Sequence, residues 1–351
     1  AINTVMGVIT FDLNGIITEM NSNFAAVTGY TPQEIIGKHH NLFVEPAIKN
    51  SAEYQQFWQT LASGHAHEGQ YKRIGKGGKE IWLQASYNPI MDANGKPFKV
   101  VKYATDITSE KLANADFSGQ IDAISKVMGV IEFDLRGNIL SVNNNFSKLT
   151  GYSVDEVLGK HHSLFVDKTY RESSEYQQFW QSLARGQAHE GQYKRLSKQG
   201  QEIWLQASYN PILDMNGKPF KVVKYATDIT EEKFRNADFS GQIAAISKVM
   251  GMIEFDLTGH ILAVNDNFAK VTGYSAQEII GKHHSLFLEP DEKNSSAYKA
   301  FWEKLARGEA EESQYKRVGK NGKPIWLQAS YNPIFDMNGK PFKVVKYASD
   351  V

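Results

Sequence analysis

The chain contains one unit written three times. Gly37-Lys38-His39-His40-Asn41-Leu42-Phe43 returns as GKHHSLF at Gly159 and at Gly281, a constant interval of 122 residues. Solenoid repeats run to roughly 20 to 50 residues, whereas a unit of this length buries a core of its own. The 351 residues therefore divide into three domains, expected at 1–116, 117–238 and 239–351. Lys+Arg 39 balances Asp+Glu 39, so no net field favours a polyanion, and nucleic-acid binding is a poor expectation. The cysteine count of 0 excludes disulfides, thiolate metal sites, iron–sulfur clusters and a cysteine nucleophile. No stretch approaches the roughly 18 apolar residues of a spanning helix. The opening AINTVMGVI carries no leader pattern and aligns with AISKVMGVI at Ala123, which predicts a cytoplasmic fragment of something longer.

Within one unit the periodicity changes in a fixed order. GVITFDLNGIITEMN reads as two strands joined at a tight Asn14-Gly15 turn. NSNFAAVTGYTPQEIIGKHHNLF, broken at Gly29 and Gly37, suits several short helices. AEYQQFWQTLASG is a firmer helix: Tyr54, Phe57, Trp58 and Leu61 form its stripe and Gly64 its C-cap. Three strands follow, separated by turns at Gly77-Gly78 and Asn94-Gly95.

That order, with Asn21 leading into NFAAVTGY, the YNPIMDANGK hairpin and the closing YATDIT, resembles a PAS domain in each of the three units. GKHH.LF, EIWLQASYNPI and VVKYATDIT are most similar to PAS domains of soluble bacterial methyl-accepting chemotaxis transducers of the biofilm-dispersion and aerotaxis type. The resemblance covers nearly the whole chain. It implies an α+β fold, a five-stranded antiparallel sheet with short helices on one face enclosing a cavity, and helical linkers. It also implies a sensory role with no substrate chemistry, relaying to an output domain beyond this sequence.

In EIWLQASYNP strict alternation sets Leu83, Ala85 and Tyr87 on the covered face, with Leu205, Ala207, Tyr209 and Leu327, Ala329, Tyr331 in the later units. The small Ala85 leaves room for a flat ligand or accommodates a neighbouring aromatic ring. Trp82, Trp204 and Trp326 fall on the outer face, where a helix or a partner chain covers them or they stay partly exposed. Helical spacing does not choose between His39 and His40, His161 and His162, or His283 and His284. The resemblance does: photosensory flavin-binding relatives carry a reactive cysteine on a helix beginning G-R-N-C, and His40 stands at the cysteine's place. Adduct photochemistry is thereby excluded. A neutral imidazole turned into an apolar cavity suits a haem iron, so His40, His162 and His284 are the expected ligands of haem b and the preceding histidines the fallback. FAD or FMN, or a solidly packed core with no cofactor, remain the alternatives.

Other features carry less chemistry. His65 and His67 are replaced by Glu309 and Glu311 in the third unit, which suits a solvated loop. Phosphate loops, zinc spacings and nucleophile elbows are missing, so no enzyme is expected. Thr108 and Thr230 are placed to cap linker helices. Phe117, Ile121, Ile124 and Met128 step by four, three and four, a seam of coiled-coil type interrupted by Gly119, which predicts a bend there and either a homodimer contact, packing on the segment's own domain as an N-terminal flank, or both. The units diverge just after the histidines, at VEPAIKNSAE, VDKTYRESSE and LEPDEKNSSA, where the cavity mouth is expected.

Overall fold

The computed structural model of the chain describes residues 5–351; the first four residues of the AINTVMGVI alignment lie outside them. In the first repeat, strands β1 (Gly7–Phe11), β2 (Ile17–Met20), β3 (His67–Ile74), β4 (Glu80–Met91) and β5 (Pro97–Asp106) form one antiparallel sheet in the order β2-β1-β5-β4-β3. The long excursion between β2 and β3 carries short helices Ser22–Thr28 and Pro32–Ile35, a 3-10 turn His40–Phe43 and the firmer helix Ala52–Ala62. The same sheet order recurs in the second and third repeats. The α+β class and the three five-stranded antiparallel sheets expected from the sequence are therefore present.

The helices between β2 and β3 start where polar side chains can take up free amides. Asn21 Oδ1 accepts from Phe24 N at 2.9 Å and also from Val8 N at 2.9 Å, so one residue caps a helix and anchors β1. Ser51 caps Ala52–Ala62 by accepting from Tyr54 N at 3.2 Å. Gly64 follows that helix at φ 92, the left-handed conformation that favours glycine. The helices lay Phe24, Ile35, Phe43, Tyr54, Trp58 and Leu61 on the inner sheet face of Ile9, Phe11, Leu83, Ala85, Tyr87, Val100 and Ala104, one continuous apolar cluster. Burying each of the larger side chains is worth about 1.5–3 kcal/mol.

Three local expectations are corrected. Between β1 and β2 only Gly15 has positive φ, and Asp12 Oδ1 braces a longer turn by accepting from Asn14 N and Ile16 N at 2.9 and 2.8 Å. Thr108 is the first helical residue and not the cap; its hydroxyl donates to Asp106 Oδ1 and accepts from Trp82 N at 2.9 Å. The linker helix Thr108–Val127 runs unbroken through Gly119, and Thr230–Val249 through Gly241. The boundaries expected at 116/117 and 238/239 fall inside these helices.

Candidate functional site

The two histidines of each pair part company at the 3-10 turn. The bridge Ile16↔His39 and the bond from His40 N to Gly15 O at 2.8 Å zip this segment onto the β1–β2 hairpin. His39 is the cap of the turn, its Nδ1 accepting from Asn41 N at 3.0 Å. Its counterparts also use the other nitrogen: His161 Nε2 donates to Arg136 O at 2.8 Å and His283 Nε2 to Thr258 O at 2.9 Å. Both ring nitrogens are thus committed to backbone. Gly15 makes this closeness possible, since a Cβ there would come within 2.9 Å of His39 Nε2 and of the Trp58 ring.

The second histidine points the other way. His40, His162 and His284 are all 0% exposed. His40 Nδ1 lies 2.8 Å from the Tyr54 hydroxyl and Nε2 3.0 Å from the Tyr87 hydroxyl. His162 has the same pair in Tyr176 and Tyr209 at 2.8 and 3.0 Å, and His284 in Tyr298 and Tyr331, both at 2.9 Å. A neutral imidazole donates with one nitrogen and accepts with the other, so each tyrosine pair contributes one acceptor and one donor. Phe11 and Trp58 meet the His40 ring edge-on, with centroids 5.3 and 5.4 Å away. Burial holds this imidazole well below its usual 6.5, and the nearby Arg73 and Lys102 charges push in the same direction. Burial also raises the Tyr54 hydroxyl to about 12.

Leu83, Ala85 and Tyr87 face the same core, as do Leu205, Ala207, Tyr209 and Leu327, Ala329, Tyr331. Ala85 pairs across the ladder with Ala104, so two small residues lie side by side under the helices. Two of the outward tryptophans find partial cover: the Lys111 ammonium lies 5.2 Å from the Trp82 ring and Lys233 5.1 Å from Trp204, whereas Trp326 is 50% exposed. His65 and His67 are exposed on the loop and strand start after the helix.

Three members of the cluster escaped the sequence reading. Spacing places Tyr54 only in the helix stripe, and no motif marks Arg73 or Lys102. Lys102 is 0% exposed, paired across the ladder with Ile9 and Tyr87 at the centre of the sheet. The signal was available in the alternation of β5, where Val100, Lys102 and Ala104 share one face.

A family model of the PAS fold matches residues 17–104, 139–226 and 261–348. The chain belongs to the PAS family. Biofilm dispersion protein BdlA of Pseudomonas aeruginosa is 44% identical over 229 residues, 65% of this chain and 55% of BdlA. The aerotaxis receptor of Escherichia coli is 34% identical over 104 residues, 30% of this chain and 20% of the receptor. The oxygen sensor protein DosP of Escherichia coli is 22% identical over 235 residues, 64% of this chain and 28% of DosP. The chain spans about half or less of the length of these relatives. Among the described residues no PAS repeat holds a group of three or more His, Asp or Glu side chains suited to a metal ion, and no helix is long and apolar enough to cross a membrane.

Proposed function

We propose that the chain is a sensory and signal-relay module of three PAS domains, 1–116, 117–238 and 239–351, working in the cytoplasm as a binding and relay element and not as a catalyst. One observation carries this reading: a fully buried, neutral imidazole held between two tyrosine hydroxyls in the aromatic core of every repeat. Relatives named for aerotaxis, oxygen sensing and biofilm dispersion support it. An uncharged imidazole in dry surroundings is a donor suited to haem iron, which His40 would hold by giving up one of its tyrosine partners. His40, His162 and His284 would hold the haem, while His39, His161 and His283 are committed to the hairpin. Bound haem would supply gas or redox sensitivity. Tyr87, whose hydroxyl holds His40 Nε2, is the residue through which any occupant of the core addresses the sheet.

The route outward follows β4. Tyr87 and Trp82 stand on that strand, and Trp82 binds the start of the linker helix, its N–H donating to Thr108 Oγ1 and its carbonyl accepting from Ile107 N at 2.9 Å. The far end of the helix is held by the next repeat, where Asn143 Nδ2 donates to Ser125 O and Met128 O at 3.1 and 2.9 Å. Phe117, Ile121 and Ile124 are exposed along this helix and Phe239, Ile243 and Ile246 along the next, a stripe suited to a second copy of the chain. An output domain beyond this sequence would receive the signal. A cofactor-free relay scaffold is the second reading, favoured by the engagement of both His40 nitrogens by tyrosines. Haem titration of the whole chain decides between them. We expect a Soret band that falls by about a third for each single change among His40→Ala, His162→Ala and His284→Ala, since each repeat holds one site. Uptake unchanged in all three variants would overturn haem ligation. Light scattering that shows only monomer at high concentration would overturn the second-copy contact.

A further inference from the structure

The core of each PAS repeat gathers cations and no anion. Among the described residues, the buried side chains able to carry a positive charge are His40, Arg73 and Lys102 and their counterparts, and no Asp or Glu is buried with them. Lys102 Nζ has no hydrogen-bond partner; it faces the rings of Tyr87 at 4.8 Å and Phe24 at 5.3 Å. Lys346 repeats this, without a hydrogen bond and over Tyr331 at 4.8 Å and Phe268 at 5.4 Å. Arg73 donates through Nη1 to Lys72 O and through Nη2 to the Tyr87 hydroxyl, but its buried Nε is unsatisfied, as is Nε of Arg317. Ring faces recover only part of what an ammonium loses on leaving water, and methionine would fill the same space without that loss. In the third repeat a cleft of about 200 Å³, lined by Tyr298, Phe301, Tyr315 and Arg317 among others, opens between the helix Ser296–Ala306 and the edge strand Glu311–Val318. Arg317 forms part of its wall.

We propose that Lys102 and Arg73, with Lys346 and Arg317 in the third repeat and Lys224 and Arg195 in the second, form a receptor for the carboxylate of a small ligand whose apolar body lies among the core rings. The proposal rests on the sensory reading and names the chemistry of its ligand. The carboxylate supplies the missing anion: it accepts from Nζ and Nε, and the surrounding rings exclude the water that would weaken both contacts. A free aromatic acid and a haem propionate present the same group, so the test separates them. The whole chain is titrated with benzoate and with benzyl alcohol, and separately with haem and haem dimethyl ester, before and after Lys102→Met, Lys224→Met and Lys346→Met are combined. We expect benzoate to bind at least about tenfold more tightly than benzyl alcohol, and the methionine variant to abolish that preference. A free acid as the source gives benzoate binding with no discrimination between haem and its ester; a propionate as the source gives haem uptake that falls with esterification. Equal binding of benzoate and benzyl alcohol together with haem uptake indifferent to esterification, or any of these preferences surviving the methionine changes, overturns the proposal and leaves the sensory reading standing. No response to any of the four probes overturns both.

Discussion

The centre and the mouth of the PAS repeats are built on opposite terms. At the centre His40, Tyr54, Arg73, Tyr87 and Lys102 recur at the same spacing in every repeat, with hydrogen-bond lengths that agree within a tenth of an ångström for the histidine–tyrosine pairs. At the mouth the repeats differ. In the first, Lys72 pairs with both Glu45 and Glu80 at 2.8 Å, tying the loop to the edge strand, whereas the second has Lys194–Glu202 at 2.9 Å and the third Lys316–Glu289 at 3.4 Å. In the second, Asp167 stands in place of Glu45 and caps an additional short helix, Lys168–Arg171, by accepting from Tyr170 N at 3.0 Å. There a wider cleft of about 620 Å³ is lined by Tyr170, Phe179, Ser182 and His189. In the third, Lys304 pairs with Glu311 across the same opening. The lesson is that the repeats hold one charged, aromatic centre constant while the residues around its opening change.

This contrast can be broken at the centre, where the largest effects are expected. Combining Lys102→Met, Lys224→Met and Lys346→Met should raise stability by about 1–4 kcal/mol per repeat, since a buried amine, whose charged form burial disfavours, gives way to an apolar chain of similar length. Urea unfolding reads this directly, and a loss of stability would show that the lysines hold the fold together. Tyr87→Phe, Tyr209→Phe and Tyr331→Phe should each cost about 1–3 kcal/mol, because His40 Nε2 and its counterparts lose their partner inside the core.

A pH series sharpens the same point. The native imidazoles are held neutral well below 6.5 while the unfolded chain takes up protons near 6.5. The unfolded state therefore binds more protons as pH falls through that value, and stability should decline from about pH 6.5 downward, with a slope of up to about 1.4 kcal/mol per pH unit for each histidine. Replacing the three histidines by leucine should flatten this slope; an unchanged slope would assign it to other groups. The smallest effect belongs to the mouth. Lys72→Gln should change unfolding stability by less than about 1 kcal/mol, because its ion pairs are partly solvated. A cost as large as that of Tyr87→Phe would erase the distinction between centre and mouth.

Much of the architecture was legible because it rests on period and parity. The constant interval announced three units, and the alternation of EIWLQASYNP assigned Leu83, Ala85 and Tyr87 to the inner face where they lie. The choice between His39 and His40 was not legible from spacing, and the reason is geometric. The helix Pro32–Ile35 ends at Ile36 with ψ 132, and Gly37 at φ 84 resets the phase of the chain, so no α-helical count carries across to the histidines. Lys102 was overlooked because lysine defaults to the surface, although its parity on β5 was plain. Thr108 looked like a cap, but Asp106 and Trp82 occupy its hydroxyl instead. Gly119 looked like a hinge, yet a single glycine costs only about 1 kcal/mol and the rest of the helix carries it.

The clamps at the two ends of each linker helix bear on how such chains can be recombined. Trp82 holds the first turn of Thr108–Val127, while Asn143 and Asn145, beyond β6 (Gly129–Phe133), hold the carbonyls of its last turn. A splice at either sheet edge would strand one of these grips on a helix end that no longer has its owner. A crossover in mid-helix, between Lys111 and Ser125, passes both grips on intact. The exchangeable part is thus a sheet flanked by two half-helices, and inserting or deleting one such part changes the number of sensing cores without cutting any of these contacts.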